Sequence, residues 1–291
     1  MMPSTQSLPG GAGLRLAWSA ELSPQSHSAV HDRRQEPIVR PTIAITFLLA
    51  CLSSACSPHP HPPHTLSIAA AADLNFALEE ISREFRKAHP AVDLEIAYGS
   101  SGNFYSQIRN RAPFDVFLSA DVEYPRKLAQ EGLAARDSVF VYAVGRIVVW
   151  VPAQSPLDPA TALQANAVRH VAIANPQHAP YGRAAKAAMQ SLGVYGSVEG
   201  KLVLGENIAQ TLQFVQSGAA DAGIVALSLA IAPPVGDRGR YWEIPLGAYP
   251  KMEQGGVILK ESAAARELRS WLLAPEGRSI LKRYGFYLPG E

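Results

Sequence analysis

The sequence predicts an α/β fold of two lobes, each a mainly parallel sheet flanked by helices, with a ligand cleft between them. From residue 65 onward, short apolar segments alternate with amphipathic segments of helical period, which is typical of parallel sheets covered by helices. The chain has 291 residues, more than a usual single domain. Two such β-α series are joined by apolar crossings near 146–152 and 244–250. Ligands of such folds bind at the carboxyl ends of the strands.

The first series is predicted to contain strands over 66–70, 92–98 and 114–118, helices over 74–88, 104–110 and 124–131, and a long apolar run over 139–151. Apolar residues of the first helix keep helical spacing, at Leu74, Ala77, Leu78, Ile81 and Phe85. This spacing indicates a stripe that faces the core. Pro90 and Gly132 follow two of the helices as stop signals.

The second series repeats the alternation and then returns to the first. It has predicted strands over 168–174, 202–204 and 222–226 and helices over 183–192 and 208–216. Strands over 241–245 and 257–259 and helices over 263–273 and 275–284 complete the chain. We therefore predict one discontinuous lobe from residues 65–148 and 246–291, and a second lobe from residues 149–245.

Residues 1–64 are predicted to be a disordered extension, a signal peptide and a linker rich in proline and histidine. The apolar run at 43–52 follows several arginines and is too short to span a bilayer, which favours a signal peptide over a buried strand or helix. The residues before Cys51 and before Cys56 each resemble a lipoprotein cleavage site, so either cysteine could be lipidated. We expect an exported protein, periplasmic or anchored on the periplasmic side of the membrane.

The bulk composition limits the classes of function. A net charge of +1 gives no reason to expect nucleic acid as a partner, and an anionic ligand would have to be held by local donors. The two cysteines lie near the N-terminus, so no disulfide framework is expected. No nucleophile with a paired base, metal-spaced cluster or phosphate-binding loop is found, so we predict no catalytic residue, no directly coordinated metal and no cofactor.

Four turns from strand to helix carry the functional prediction. They lie at 71–73, 99–103, 175–182 and 204–208, where an apolar segment ends on small or polar residues. Helix N-termini that converge can hold an anion through backbone N–H groups without a charged side chain. The pattern favours an oxyanion-binding protein over an enzyme.

Each turn also has a simpler structural interpretation. A serine of the second turn can donate to an oxyanion or cap a helix, and Tyr181 can donate or pack. Asn207 is a good cap, which leaves Ile208 to offer its backbone N–H. Asp73 is most simply the N-cap of the first helix.

From residue 66 to 289 the chain resembles the periplasmic molybdate-binding proteins of the ModA family, type II solute-binding proteins of ABC importers. The resemblance is carried by AAAADL at 69–74, YGSSGN at 98–103, PFDVFLSAD at 113–121, NPQHAPYG at 175–182, GIV at 223–225, PEG at 275–277 and RYGF at 283–286. It implies the type II periplasmic binding protein fold, with molybdate or tungstate held as a tetrahedral dianion by neutral donors. It also implies delivery to an ABC permease, and we expect a monomer.

Carried over by motif, the resemblance assigns the oxyanion to the hydroxyl and N–H of Ser101 and to the N–H groups of Tyr181 and Ile208. Asp73 stands where the family has a serine or threonine, and Ala226 where it often has a tyrosine. Weaker candidate donors are Asn75, Ser100 and Asn207.

Because a carboxylate would repel a dianion, we expect Asp73 either to turn away and present its N–H or to be protonated. The phenol of Tyr181 is the expected substitute for the missing tyrosine. The alternative functions are binding of another anion or metal, such as sulfate, phosphonate or ferric iron, and an enzyme on the same fold.

Overall fold

The structure, a computed structural model, describes residues 64–291. The predicted signal peptide, Cys51, Cys56 and nearly all of the predicted linker lie outside the described residues. No helix in the described part is both long and apolar enough to cross a membrane.

The described chain alternates strands and helices through most of its length. The strands are β1 (His64–Ala71), β2 (Val92–Gly99), β3 (Val116–Ser119), β4 (Phe140–Gly145), β5 (Ile147–Pro152), β6 (Val171–Ala174), β7 (Leu202–Gly205), β8 (Ala222–Ala226), β9 (Gly239–Glu243) and β10 (Met252–Ile258). The helices are α1 (Asn75–Ala88), α2 (Ser101–Arg109), α3 (Glu123–Gln130), α4 (Pro180–Ser191), α5 (Tyr195–Val198), α6 (Ile208–Gln216), α7 (Leu227–Ala230), α8 (Pro233–Gly236), α9 (Ala263–Leu273) and α10 (Pro275–Arg283).

The strands form two five-stranded sheets, which define two lobes. The first sheet has the order β2-β1-β3-β10-β4 and the second the order β7-β6-β8-β5-β9. We call residues 64–145 and 252–291 the first lobe and residues 147–243 the second lobe. The predicted two-lobed α/β fold is confirmed.

Each sheet is mixed, which differs from the prediction of mainly parallel sheets. In the first sheet β1 pairs in parallel with β2 and β3, whereas β10 pairs antiparallel with β3 and β4. In the second, β6 pairs in parallel with β7 and β8, and β5 pairs antiparallel with β8 and β9. The strand that runs against the others is β10 in the first sheet and β5 in the second. Each is the first strand after a crossing, and a chain that enters a sheet from the other lobe does not arrive through a βαβ unit.

The first crossing lies at the start of the predicted interval 146–152. β4 ends at Gly145 in the first sheet, and β5 begins at Ile147 in the second, so only Arg146 separates them. The predicted boundary between residues 148 and 149 falls inside β5, two residues after the change of sheet. The continuous apolar run hides the crossing, since buried strands of both sheets have the same composition.

The helices cover the sheets with apolar faces, as the sequence pattern predicts. The buried residues of α1 are Ala77, Leu78, Ile81, Ser82 and Phe85. Three alanines of the first lobe, Ala71, Ala72 and Ala120, pack into the same apolar cluster as the core of the second lobe. They lie at the ends of β1 and β3, so the two lobes contact each other at the carboxyl ends of these strands.

Candidate functional site

The four predicted turns meet in one small pocket between the lobes. Its lining residues are Ala71, Ala72, Asp73, Gly99, Ser100, Ser101, Ala120, Ala179, Pro180, Tyr181, Asn207 and Ile208. Six of the seven candidate residues are among them. Asn75 is not; it begins α1, where its backbone oxygen accepts a hydrogen bond from the Tyr98 hydroxyl at 3.3 Å.

Ser101 keeps a hydroxyl proton free to donate. Its Oγ accepts a hydrogen bond from the backbone N–H of Ala120 at 3.0 Å, and the residue is 1% exposed. Because a serine hydroxyl has one proton and accepts through its lone pairs, this contact orients Oγ without using the proton. Ser101 can therefore donate to a ligand in the pocket.

Ser100 is differently engaged. Its hydroxyl donates to the backbone oxygen of His178 at 2.6 Å, and the imidazole Nδ1 of His178 lies 3.0 Å from the same Oγ. The single hydroxyl proton is therefore used in a contact between the lobes, and Nδ1 acts as the donor to Oγ. Ser100 lines the pocket but is a poor donor to a ligand.

The N-terminus of α6 is capped in a way that singles out one amide. The side-chain oxygen of Asn207 accepts from the N–H groups of Ala209 and Gln210, both at 3.0 Å. The N–H of Ile208 makes no hydrogen bond within the described residues. Asn207 thus satisfies the next two amides and leaves the Ile208 N–H unused, at the positive end of the helix dipole and in a residue that lines the pocket.

A similar amide lies at the start of α4. Pro180 occupies the first turn and has no N–H, and Gly182 and Arg183 donate to the backbone oxygen of Ala179. The N–H of Tyr181 makes no hydrogen bond within the described part of the chain. Two helices of the second lobe therefore present one unused amide each.

Asp73 does not have the capping role that is its simplest interpretation. It does not cap α1, since neither the 3-10 turn at Ala72–Leu74 nor α1 has a side-chain cap. Its carboxylate is buried, and Oδ2 accepts from the Tyr181 hydroxyl at 2.9 Å and from Gln254 Nε2 at 2.6 Å. We call Asp73, Tyr181 and Gln254 the acid triad. The Tyr181 phenol donates to Asp73, so the expectation that it replaces a missing tyrosine donor is wrong.

Burial governs the electrostatics of the acid triad. Desolvation raises the pKa of Asp73 to about 6, against the opposing effect of the hydrogen bonds from Gln254 and Tyr181 and of its own N–H. Desolvation, with the neighbouring Asp73, also raises the pKa of Tyr181 well above its usual value. No lysine or arginine is among the residues that line the pocket, so any anion there is held by neutral donors.

Several residues around Asp73 were not predicted as parts of the site. Gln254 is fully buried on β10, and Ser228 on α7 donates through Oγ to the backbone oxygen of Asp73 at 2.8 Å. The nearby Tyr142 hydroxyl donates to the backbone oxygen of Ser119 at 3.1 Å. The one sequence signal for Gln254 was a polar residue directly before the glycines of the returning strand.

Contacts around the rim hold the two lobes together. The N–H of Gly102 donates to the backbone oxygen of His178 at 2.9 Å, and Asn103 donates to Glu206. On the other side, Arg183 Nη2 lies 2.6 Å from Asp121 Oδ2. The structure therefore has the lobes closed over the pocket.

A larger cavity, of about 230 Å³, lies beside this last ion pair. Its charged groups already pair, Arg183 with Asp121 at 2.6 Å and Lys251 with Glu253 at 3.2 Å. None of the unused helix-terminal amides lines it. The smaller pocket is therefore the better candidate for anion binding.

Comparison with known proteins agrees with this architecture. The family model described as bacterial extracellular solute-binding protein matches residues 66–287. The molybdate-binding protein ModA of Azotobacter vinelandii is 38% identical over 247 residues, covering 83% of this chain and 94% of that protein. ModA of Rhodobacter capsulatus is 43% identical over 193 residues, covering 65% and 75%. The solved structure of the A. vinelandii periplasmic molybdate-binding protein matches with a TM-score of 0.72 at 35% identity, covering 77% of this chain and 99% of that one.

Proposed function

Because the chain belongs to the ModA family of bacterial extracellular solute-binding proteins, we propose that it binds molybdate, and the like-shaped tungstate, for delivery to the permease of an ABC importer. It acts by binding and release, without catalysing a reaction. The observation that carries the proposal is the meeting of three neutral donors in one pocket, the hydroxyl of Ser101 and the N–H groups of Tyr181 and Ile208.

These donors suit a dianion because each is already oriented before the anion arrives. Ala120 orients the Ser101 hydroxyl, and the helix geometry of α4 and α6 fixes the two amides. A hydrogen bond to a charged group is worth about 1.5–3 kcal/mol. With the remaining amides of the first and second turns, a set of such bonds reaches sub-micromolar affinity, about −8 kcal/mol or better.

Selection among dianions of the same charge and shape would follow from the size of the closed pocket. Sulfate, a smaller tetrahedral dianion, would leave longer hydrogen bonds to donors that closure holds in place. Ferric iron is disfavoured because a site for it would use tyrosines and acids as direct ligands, whereas the lining residues include one of each, already bonded to each other.

The remaining parts of the proposal concern the cell. We propose an exported protein that acts as a monomer on the periplasmic side of the membrane, with a lipid anchor at Cys51 or Cys56. The apolar run at 43–52 and the small residues before each cysteine support export and lipidation. Partners would be the oxyanion and the permease, with no nucleic acid.

Calorimetric titration of the protein with molybdate, tungstate, sulfate and phosphate tests this function. We expect tight binding of the first two and weak or no binding of the others. Ser101→Ala should weaken molybdate about 10- to 100-fold, because it removes a donor to a charged group. The matched control is Ser106→Ala on the exposed side of the same helix, where Oγ donates only to the backbone oxygen of Gly102. No binding of molybdate or tungstate by the wild-type protein would overturn the proposal.

A further inference from the structure

Two buried oxygens of the acid triad, Asp73 Oδ1 and Gln254 Oε1, have no hydrogen-bond partner within the described residues. Asp73 is 1% exposed, and its Oδ2 accepts both hydrogen bonds of the acid triad, while Oδ1 makes none within the described residues. A buried carboxylate oxygen without a donor is costly, because it has lost its water and gained nothing. Asp73 also lines the pocket. Gln254 does not line the pocket, so of the two unsatisfied oxygens Asp73 Oδ1 is the one that belongs to a lining residue.

We propose that Asp73 takes up a proton on Oδ1 when the anion binds, and that the resulting carboxylic acid donates a hydrogen bond to an oxygen of the dianion. The proton comes from the solvent and returns to it when the anion leaves. This proposal rests on the proposed oxyanion function and adds a proton-coupled donor to that site.

The hydrogen bonds of the acid triad fix the orientation of the Asp73 carboxyl group. The Tyr181 hydroxyl and Gln254 Nε2 both bond to Oδ2, and Nε2 also donates to the Tyr181 oxygen at 3.1 Å. These contacts hold the carboxyl group in one orientation, so it cannot turn away from an arriving anion. A proton on Oδ1 removes the like-charge repulsion and supplies a donor at the position where repulsion would otherwise act.

The groups around Asp73 supply no compensating positive charge. The ionisable neighbours of the triad are Tyr142 on β4 and Tyr249, and burial raises the pKa of each, so both are neutral around neutral pH. Helices α6 and α7, which pack against the Asp73 turn, contain no ionisable residue. The charged residues of α1 are exposed or half-buried, at Glu79, Glu80, Arg83, Glu84, Arg86 and Lys87.

Two further ionisable groups lie near the pocket and must be separated from Asp73. His178 bonds to Ser100 across the lobes and pairs with Glu206 at 3.6 Å. Asp121 follows the lining residue Ala120 and is paired with Arg183. Since a histidine also titrates near neutral pH, a variant of His178 is the necessary control.

The negative charges of Asp73 and of the dianion determine how the affinity for the anion changes with pH. Burial already raises the pKa of Asp73 to about 6, and a bound dianion raises it further. Binding therefore favours the protonated form, and the affinity for molybdate falls as pH rises above about 6, by up to about tenfold per pH unit. Below about pH 6 the affinity levels off, because Asp73 is then protonated before the anion arrives.

The test is calorimetric titration with molybdate from pH 5.5 to 8.5, in steps of about half a pH unit. Each titration is repeated in two buffers with different ionisation enthalpies, which gives the number of protons taken up on binding. We expect the wild-type protein and His178→Gln to take up a fraction of a proton approaching one per anion. Asp73→Asn, which keeps the size of the side chain, should take up none and bind with a pH-independent affinity. An infrared difference spectrum of the wild-type protein should gain the carbonyl band of a neutral carboxylic acid on addition of molybdate.

The outcomes separate this proposal from the function on which it rests. Tight molybdate binding with no proton uptake and no carboxylic acid band overturns the role of Asp73 alone. Loss of the uptake in His178→Gln, with uptake kept in Asp73→Asn, assigns the proton to the histidine and also overturns it. Absence of binding by the wild-type protein at every pH overturns the proposed function and this inference together. The infrared measurement decides the matter even if Asp73→Asn fails to fold.

Discussion

The turn before α6 and the turn after β1 present helical N-termini to the same pocket by different means. At α6, the neutral side chain of Asn207 accepts from two amides of its own helix and leaves the N–H of Ile208 unused. After β1, the acidic Asp73 caps nothing and is held by Tyr181 and Gln254. The first solution uses residues next to each other in the chain. The second joins residues separated by 108 and 181 positions.

The comparison shows where an acid can replace a neutral residue beside an anion. An acid at the position of Asn207 would accept hydrogen bonds from the same two amides at a helix N-terminus, which would keep it ionised beside the pocket. Asp73 is tolerated because Tyr181 and Gln254, which lie on other elements, donate hydrogen bonds to its carboxyl group and because burial favours its neutral form. The local turn should therefore respond to changes in capping, and the acid triad to changes in pH and packing.

The largest expected effect is the pH dependence of stability that Asp73 contributes. Its pKa in the folded protein, about 6, lies above its ordinary value of 3.8, so the folded state binds the proton more tightly than the unfolded chain. The stabilising contribution is fully present below pH 3.8, falls as pH rises towards 6 and is lost above it. A shift of this size corresponds to about 3 kcal/mol.

The measurement is the difference in unfolding free energy between Asp73→Asn and the wild-type protein, from urea unfolding across this pH range. The difference should move in favour of Asp73→Asn by up to about 3 kcal/mol between pH 4 and 7. Asp237→Asn, at an exposed position, is the control and should show no such trend. A difference that does not vary with pH would mean that Asp73 is ionised as readily in the fold as in water.

Packing against the acid triad gives the second prediction. A Cβ atom at Gly145 would lie 2.5 Å from the Tyr181 hydroxyl oxygen and 2.8 Å from Gln254 Nε2. Gly145→Ala should therefore displace both donors and lower the unfolding free energy by about 1–3 kcal/mol, as overpacking does. Gly247→Ala, where nothing lies within 4 Å of the new Cβ, should change it by less than about 0.5 kcal/mol. Equal stability of the two variants would show that Tyr181 and Gln254 can shift at little cost in free energy.

The same contrast explains what the sequence could predict. The donors at Ser101, Tyr181 and Ile208 could be proposed because each lies in a strand-to-helix turn whose pattern is local. The partners of Asp73 could not, because hydrogen bonds between side chains on β10, α4 and the first turn depend on how the two lobes close. The position of the first crossing could not be predicted for a related reason, since an apolar run does not reveal which sheet each part of it joins.

The local turn gives the third prediction. Asn207→Ala removes the acceptor for two amides and should cost about 0.5–2 kcal/mol of stability. Ser262→Ala removes a comparable cap, the Oγ that accepts from Ala265 N–H at the start of α9, which lies away from the pocket. Both variants should lose similar stability in urea, but only Asn207→Ala should bind molybdate more weakly, by up to about tenfold. Equal molybdate affinity of the two variants would show that the Asn207 cap is not needed to orient the N–H of Ile208.

A third substitution at this turn sharpens the comparison with Asp73. Asn207→Asp keeps the capping oxygen, so stability should be retained. It also places beside the pocket a carboxylate that two amides and the helix dipole keep ionised, so repulsion of the dianion should lower molybdate affinity below that of Asn207→Ala. If Asn207→Asp binds as tightly as the wild-type protein, a charge at the pocket needs no acid triad to be tolerated.

The smallest expected effect concerns the rim, where neither turn is involved. Arg183 on the second lobe pairs with Asp121 on the first, and the two side chains are 41% and 29% exposed. An ion pair this exposed contributes about 0–1 kcal/mol, so Arg183→Gln should weaken molybdate binding by no more than about fivefold. Because the pair exists only when the lobes are together, that loss reflects a shift towards the open state.

Arg126→Gln, which breaks an ion pair with Glu123 inside the first lobe, is the control and should leave affinity unchanged. In about 1 M salt, where the screening length falls to about 3 Å, the difference between the two variants should shrink. A difference that salt leaves unchanged would instead assign to Arg183 a packing role, through its position over the ring of Tyr124.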